Sequence, residues 1–143
     1  RFVLVLEDDV IFLSNSKQNL VELLKSLISK EDSSPMYFDI AGGLSLETLG
    51  LSKIIKSSCG NSIEFHYPVT NTACAYLLNR SLAQHFCDIM NQSTYFKDAP
   101  IDWLMNGIFV RLLEIGTKVR CVHMTPSLLQ HGSFTGAYKT WQD

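Results

Sequence analysis

The feature that most constrains the fold is an apolar run that ends abruptly in three carboxylates. The run extends from Phe2 to Leu6, and Glu7, Asp8 and Asp9 follow it directly. Continuous β-branched and aliphatic runs of this length are typical of buried strands, especially those of parallel sheets. The sequence therefore predicts a buried, parallel strand with an acidic cluster at its carboxyl end.

Composition sets limits on the class of protein. The chain has 143 residues, of which 46% are hydrophobic and 18% charged, so we expect one globular domain with a substantial core. The 12 basic and 14 acidic residues give a net charge of -2. The basic residues form no clustered stripe along the sequence, which argues against nucleic acid as a partner. No apolar run approaches the roughly 20 residues that a membrane-spanning helix needs. The chain begins at Arg1 without a Met, so we expect it to be a piece of a longer protein.

Hydrophobic periodicity predicts strands that alternate with helices. The predicted helices are Lys17 to Ser29, a segment after Asn79 or Ser81, and Ile101 to Ile115. The predicted strands after the first are Tyr37 to Ala41, Ser62 to Tyr67, Ala73 to Leu78 and Thr117 to His123. Residues 44–61 and the tail from Thr125 show no period, and we expect the tail to wrap over the surface. The alternation indicates an α/β fold, whose ligands usually bind beyond the carboxyl ends of strands.

The acidic cluster itself suggests a cation site. Three adjacent carboxylates repel one another, and Mg²⁺ or Mn²⁺ prefers such oxygen ligands. In an extended chain, Glu7 and Asp9 point to one side and Asp8 to the other. One side can then hold the metal while the other braces the site or contacts a hydroxyl of a ligand. An acidic turn that merely faces solvent is the alternative interpretation.

Two segments in the first part of the chain resemble motifs of known glycosyltransferases. The sequence Val-Leu-Val-Leu-Glu-Asp-Asp-Val at residues 3–10 resembles the aspartate-rich motif of GT-A-fold enzymes. Its Leu-Glu-Asp-Asp form is similar to that of glycosyltransferase family 25, which includes lipooligosaccharide and procollagen galactosyltransferases. The sequence Thr-Ala-Cys-Ala-Tyr-Leu-Leu at residues 72–78, followed by a helix, is similar to a later segment of that family.

Two further segments extend the resemblance along the chain. Pro-Ile-Asp-Trp-Leu at residues 100–104 is similar to a Pro-Val/Ile-Asp element of family 25 and of the Golgi N-acetylglucosaminyltransferase IV family. Pro-Ser-Leu-Leu-Gln-His-Gly-Ser at residues 126–133 resembles a C-terminal stretch of the latter family. Residues 42–61 match neither family. Four motifs in order are more specific than any one of them.

The resemblance implies a fold and an activity. It implies a GT-A-like, Rossmann-like mixed sheet flanked by helices, with residues 1–143 as the C-terminal part of a single domain. In that fold the nucleotide-binding strands precede the acidic motif, so we expect the chain not to contain them. The implied activity is metal-dependent transfer of a hexose from a nucleotide sugar, such as a UDP-sugar. The acceptor would be a hydroxyl on a glycan, a lipid-linked or a protein-linked substrate. The implied location is the cytoplasmic face of a bacterial membrane or the secretory lumen of a eukaryote.

The resemblance also assigns roles to residues of the cation site. Asp9 corresponds to the aspartate that binds the Mn²⁺ or Mg²⁺ bridging the two donor phosphates. Glu7 is then a second ligand or a ribose contact, and Asp8 a further contact to the donor. His131 matches the position of another metal ligand, with an ordinary loop residue as the alternative. If these roles hold, the side chains of Glu7, Asp9 and His131 should converge.

Other candidates lie outside the acidic cluster. The resemblance implies that Asp102 is the general base that deprotonates the acceptor hydroxyl. Stabilisation of a helix N-terminus explains the same residue equally well. Asn71 and Thr72 either contact the substrates or form a turn. Trp103 either stacks on a sugar or packs in the protein.

Two other classes of function stay open. A GT-A-like domain without activity would serve as a binding module. A haloacid-dehalogenase-type phosphotransferase also ends a buried strand in acids, but it needs an Asp nucleophile where this chain has Glu7. The four cysteines form no Cys-x-x-Cys pair and are expected to be buried thiols, with one disulfide as the alternative.

Overall fold

The computed structural model describes residues 1–28, 33–42, 55–56, 62–70, 72–92 and 98–137. Within them the chain forms a mixed α/β fold. The strands are β1 (Phe2–Leu6), β2 (Val10–Phe12), β3 (Met36–Asp39), β4 (Ile55–Lys56), β5 (Ser62–Phe65), β6 (Ala75–Asn79), β7 (Arg120–Met124) and β8 (Leu129–His131). The helices are α1 (Ser16–Ile28), α2 (Arg80–Gln92), α3 (Ile101–Glu114) and α4 (Gly132–Thr135).

The main sheet has the strand order β1-β6-β3-β7-β5-β4, in which the two-residue β4 extends a mixed sheet of five longer strands. Only β3 and β7 pair in parallel, whereas the other neighbours are antiparallel. As a result β1, β3 and β7 all run in the same direction. Their carboxyl ends therefore meet at one edge of the sheet, where the acidic residues follow β1.

Helices cover both faces of this sheet. On one face, α2 and α3 pack against strand residues such as Tyr37 and Tyr76, with Phe109 of α3 fully buried among them. On the other face, Leu27 of α1 and Leu129 of β8 complete a second buried cluster. The predicted mixed sheet flanked by helices is confirmed. None of the helices in the described residues is long and apolar enough to span a membrane.

The prediction for the first strand was wrong in direction and in burial. β1 pairs antiparallel with β6, from Phe2 opposite Asn79 to Leu6 opposite Ala75. Among the described residues it is the end strand of the sheet, and Val3 is 51% exposed. A continuous apolar run carries no information about the direction of its neighbour, and edge and central strands can share the same pattern.

The prediction for the tail was also wrong in part. Residues Leu129–His131 form β8, which pairs antiparallel with the unpredicted β2 in a separate two-stranded sheet. Leu128, just before β8, and Leu129, its first residue, are both buried. This segment therefore contributes to the core instead of lying on the surface. Three-residue strands are too short for a periodicity to be visible. The helix predictions agree with α1, α2 and α3 to within a few residues, and Asn79 caps α2 by accepting the Leu82 N–H over 3.0 Å.

Candidate metal centre

The candidate centre lies where the small β2–β8 sheet meets the end of β1. A tight turn at Asp8 and Asp9 separates β1 from β2. In the small sheet Val10 pairs with His131, and the Gly132 N–H donates to the Asp9 carbonyl over 2.8 Å. This pairing brings the C-terminal part of the chain directly onto the acidic cluster. The pairing of β2 with β8, which the sequence did not predict, therefore brings the residues of the site together.

His131 lies between two carboxylates. Its Nε2 is 3.6 Å from Glu7 Oε2, and its Nδ1 is 3.0 Å from Asp9 Oδ2. The expected convergence of Glu7, Asp9 and His131 is thus present in the structure. Their side chains are partly buried, with His131 17% and Asp9 18% exposed. Partial burial lowers the effective dielectric, so charges interact more strongly here than in open solvent.

Two atoms of the cluster are left without conventional partners. Asp9 Oδ1 and His131 Nδ1 are buried and have no hydrogen-bond partner among the described residues. The short approach of Nδ1 to Asp9 Oδ2 does not have hydrogen-bond geometry, although the two atoms are only 3.0 Å apart. Buried polar atoms without partners are rare because they lose their hydration without compensation. A cation at this point would satisfy the free oxygen.

Asp9 is held in place by Ser133 at the start of α4. The Ser133 hydroxyl donates to Asp9 Oδ2 over 2.6 Å, and the Ser133 N–H donates to the same oxygen over 3.2 Å. Burial acts to raise the pKa of Asp9, but these two hydrogen bonds and the adjacent His131 outweigh it and hold that pKa below its ordinary value. Asp9 is therefore kept ionised and oriented, as a cation ligand requires.

Glu7 is in a different electrostatic environment. Burial raises the pKa of Glu7 most, His131 lowers it, and the charges of Asp9, Asp8 and Asp102 raise it further. A bound dication relieves this repulsion of the Glu7 carboxylate by like charges. Asp102, at the start of α3, makes the smallest of these contributions to the pKa of Glu7.

Cys74 is a member of the cluster that the sequence did not single out. One ligand atom from each of Glu7, Asp9, Cys74 and His131 lies within 4.8 Å of all the others. Cys74 is fully buried, and burial raises the pKa of its thiol to about 12, with further increases from the charges of Asp9, Glu7 and Asp39. No local sequence signal identified it, because its place in the cluster arises from the pairing of β6 with the strand that carries the acids. Cys74 and Cys121 are buried free thiols, as expected, whereas Cys87 is a free thiol exposed on α2, contrary to the expectation, and Cys59 lies outside the described residues.

The other predicted site residues are distributed around this centre. Asp8 is exposed and does not belong to the cluster. Asp102 Oδ1 accepts the Trp103 N–H over 2.9 Å, and the Trp103 side chain is 73% exposed at the start of α3. Thr72 lies two residues before Cys74, and its buried Oγ1 has no hydrogen-bond partner in the described part of the chain. The prediction for Asn71 falls outside the described residues.

A cavity of about 330 Å³ opens beside His131. Its lining combines polar groups from Ser127 and Gln130 with the ring of Phe134, which is 59% exposed and lies 4.9 Å from the His131 ring. A larger cavity of about 900 Å³ lies at the opposite end of β1, near Arg1 and Arg80. Size alone would favour the larger cavity, but His131 of the candidate centre lines the smaller one.

Comparisons with known proteins add no further observation about the site. The chain was compared with protein-family models, with curated protein sequences and with solved structures, and no significant match was found in any of them.

Proposed function

We propose that the chain is the metal-binding and acceptor-facing part of a glycosyltransferase that moves a hexose from a nucleotide sugar to a hydroxyl acceptor. The donor in this proposal is a UDP-sugar, and the acceptor is a glycan, a lipid-linked or a protein-linked hydroxyl. The fold in this proposal is the GT-A type, of which a mixed sheet flanked by helices is a necessary part.

One observation carries the proposal. The two motifs that resemble metal-binding segments of glycosyltransferases lie at opposite ends of the chain, and their side chains meet. His131 of the late motif is 3.0 Å from Asp9 and 3.6 Å from Glu7 of the early motif. An acidic turn that only faces solvent would not contact a histidine from the other end of the chain, nor would it leave Asp9 Oδ1 buried with no hydrogen-bond partner among the described residues.

In this proposal the residues of the centre have different roles in sugar transfer. Asp9 and Glu7 supply oxygen ligands and His131 a nitrogen ligand, a set that suits a divalent metal ion. When bound, such a cation neutralises negative charge that develops on the departing nucleoside diphosphate. Ser133 holds the carboxylate of Asp9 in one orientation, so little reorganisation is needed when the donor binds.

Asp102 is the residue proposed to accept the proton from the acceptor hydroxyl. The charge of its carboxylate is one of the causes of the raised pKa of Glu7, so the two groups interact electrostatically. Trp103, next to it, presents a largely exposed ring on which an acceptor sugar can stack. The proton would pass from the acceptor oxygen to Asp102 as the oxygen attacks the anomeric carbon, and the nucleoside diphosphate would leave with the electron pair of the broken bond between that carbon and the phosphate oxygen.

The test is a screen of UDP-sugar hydrolysis and transfer by the full-length protein, with and without Mn²⁺. The matched variants are Asp9→Ala, in the cluster, and Asp98→Ala, an exposed carboxylate outside it. We expect Mn²⁺-dependent turnover that falls at least about a hundredfold in Asp9→Ala and is largely kept in Asp98→Ala. Turnover that survives Asp9→Ala in the absence of metal would refute the assignment of the site. Cation binding with no turnover of any UDP-sugar would favour a binding module instead.

A further inference from the structure

The sulfur of Cys74 lies among the side chains of the candidate metal centre. Its Sγ is within 4.8 Å of one ligand atom from each of Glu7, Asp9 and His131. The Glu7 N–H donates to the Cys74 carbonyl over 2.8 Å and extends the β1–β6 ladder by one residue beyond Leu6 and Ala75. The position of the thiol relative to Glu7 is therefore fixed by the sheet and does not depend on a flexible loop.

The donor set has a definite metal preference. Two carboxylates, one imidazole and one thiol give four ligands, the number that Zn²⁺ takes in tetrahedral protein sites. Mg²⁺ is a hard cation that binds oxygen and rejects sulfur, whereas thiolate and imidazole favour Zn²⁺ and its borderline neighbours such as Co²⁺. A cation site built only for Mg²⁺ would gain nothing from a thiol in this position.

We propose that Cys74 Sγ is the fourth ligand of this centre, and that it makes the centre select a transition-metal dication over Mg²⁺. This inference depends on the proposed function only for the location of the cation at Glu7, Asp9 and His131. The centre should then bind Zn²⁺ and Co²⁺ more tightly than Mn²⁺, and Mn²⁺ more tightly than Mg²⁺. The ligand responsible is one that neither the acidic motif nor the late histidine motif contains.

Coordination exchanges a proton for the metal. The Cys74 thiol releases its proton to solvent, and the sulfur electron pair forms the bond to the cation. Burial and the charges of Asp9, Glu7 and Asp39 keep the thiol protonated before the cation arrives. The same three carboxylates attract a dication, so the charge that disfavours a free thiolate favours a metal-bound one.

Cys121 offers a comparison within the same fold. It is also fully buried, and burial likewise raises the pKa of its thiol to about 12. Its Sγ lies 3.3 Å from the Val69 carbonyl and 3.6 Å from His123 Nε2. Among the described residues, however, it belongs to no group of three or more potential metal ligands. Cys121 is thus a matched buried thiol without the proposed role.

Titration of the full-length, metal-free protein with Co²⁺ tests the inference. A Co²⁺ ion bound to a thiolate shows a near-ultraviolet charge-transfer absorption that oxygen and nitrogen ligands do not give. We expect one such band, saturating at one Co²⁺ per chain, in the wild type and in Cys121→Ser and Cys87→Ser. We expect Cys74→Ser to lose the band and to bind Zn²⁺ at least about tenfold more weakly, while its Mg²⁺ affinity changes less than about twofold.

A second variant covers the case in which Cys74→Ser does not fold. In the variant Cys59→Ser/Cys87→Ser/Cys121→Ser, Cys74 is the one remaining cysteine of the four in the sequence. Any cysteine outside these 143 residues is replaced by Ser as well, so that a charge-transfer band in this variant comes from Cys74 and supports the inference. Absence of the band from the folded wild type, or its persistence in folded Cys74→Ser, would overturn it.

The same measurements separate this inference from the proposed function. A protein that shows the Cys74-dependent band but turns over no nucleotide sugar supports the ligand assignment and contradicts the transferase. A protein that transfers sugar equally well with Mg²⁺, and gives no band, supports the transferase and overturns the ligand assignment.

Discussion

The Ser133 hydroxyl donates to Asp9 Oδ2 over 2.6 Å and joins two residues that lie 124 positions apart in the chain. The same oxygen faces His131 Nδ1, so one carboxylate atom organises three contacts from the C-terminal segment. Within the described part of the chain, Asp9 Oδ1 accepts no hydrogen bond. The C-terminal segment therefore fixes the orientation of Asp9 and leaves one oxygen available to a cation.

Replacing Ser133 with Ala is expected to weaken cation binding without removing a ligand. Asp9 would keep the Ser133 N–H but lose the hydroxyl that orients it, and partners of this kind typically contribute about 10- to 100-fold to metal affinity. The metal-free protein should lose about 1–2 kcal/mol of unfolding free energy with the hydrogen bond. Calorimetric titration with Mn²⁺ and urea unfolding measure the two effects.

Thr135→Ala is the matched control for this variant. Thr135 lies on the same short helix, but its hydroxyl donates to the Gly132 carbonyl over 2.9 Å and not to a carboxylate of the cluster. It should lower stability slightly and leave Mn²⁺ affinity within about twofold of the wild type. Equal losses of affinity in Ser133→Ala and Thr135→Ala would mean that α4 as a whole, and not the Asp9 contact, determines binding.

Asp102→Asn distinguishes catalysis from helix stabilisation. An amide oxygen can still accept the Trp103 N–H, so the melting temperature should change little. Asn cannot accept a proton at neutral pH, and loss of a general base lowers kcat by about 10²- to 10⁴-fold. The predicted result is a large fall in kcat for sugar transfer with unchanged Mn²⁺ affinity.

Asp98→Asn serves as the control for Asp102, since Asp98 is an exposed carboxylate just before the same helix. We expect it to leave kcat unchanged. If Asp102→Asn transfers sugar at the wild-type rate but melts at a lower temperature, Asp102 has only a structural role at the start of α3.

Gly42→Ala is expected to destabilise the protein more than Gly116→Ala. Both glycines have positive φ, +60° and +76°, where an L side chain costs about 1–2 kcal/mol. A Cβ at Gly42 would in addition collide with the Ser127 hydroxyl, whereas one at Gly116 meets nothing within 4 Å. Urea unfolding should show Gly42→Ala to be worse by about 1–3 kcal/mol, the usual cost of overpacking. Equal losses would show that Ser127 moves aside freely.

The sequence predicts the elements of the fold better than their arrangement. The helical stripes are long enough to give α1, α2 and α3 to within a few residues, because the 3.6-residue period repeats several times. The antiparallel pairing of β1 with β6 was not predictable from an apolar run without alternation. The pairing of Val10 with His131 was missed because each partner strand has only three residues.

For the candidate site as well, the sequence predicted some of the residues and missed others. The convergence of Glu7, Asp9 and His131 followed from motif order, and the structure contains it. Ser133 and Cys74 were not identified, because a serine after a glycine and a cysteine in an apolar stretch are both commonplace. Their proximity to Asp9 arises from long-range pairing, which local sequence does not encode.

Binding of Mn²⁺ to the full-length protein, followed by electron paramagnetic resonance, tests the central claim most directly. The comparison is between the wild type, Asp9→Asn in the cluster and Asp8→Asn outside it. We predict that the wild type binds one Mn²⁺, that Asp9→Asn binds it at least about tenfold more weakly, and that Asp8→Asn stays within about twofold of the wild type. Failure of the wild type to bind Mn²⁺, or equal affinities in all three proteins, would contradict a cation centre built on Asp9.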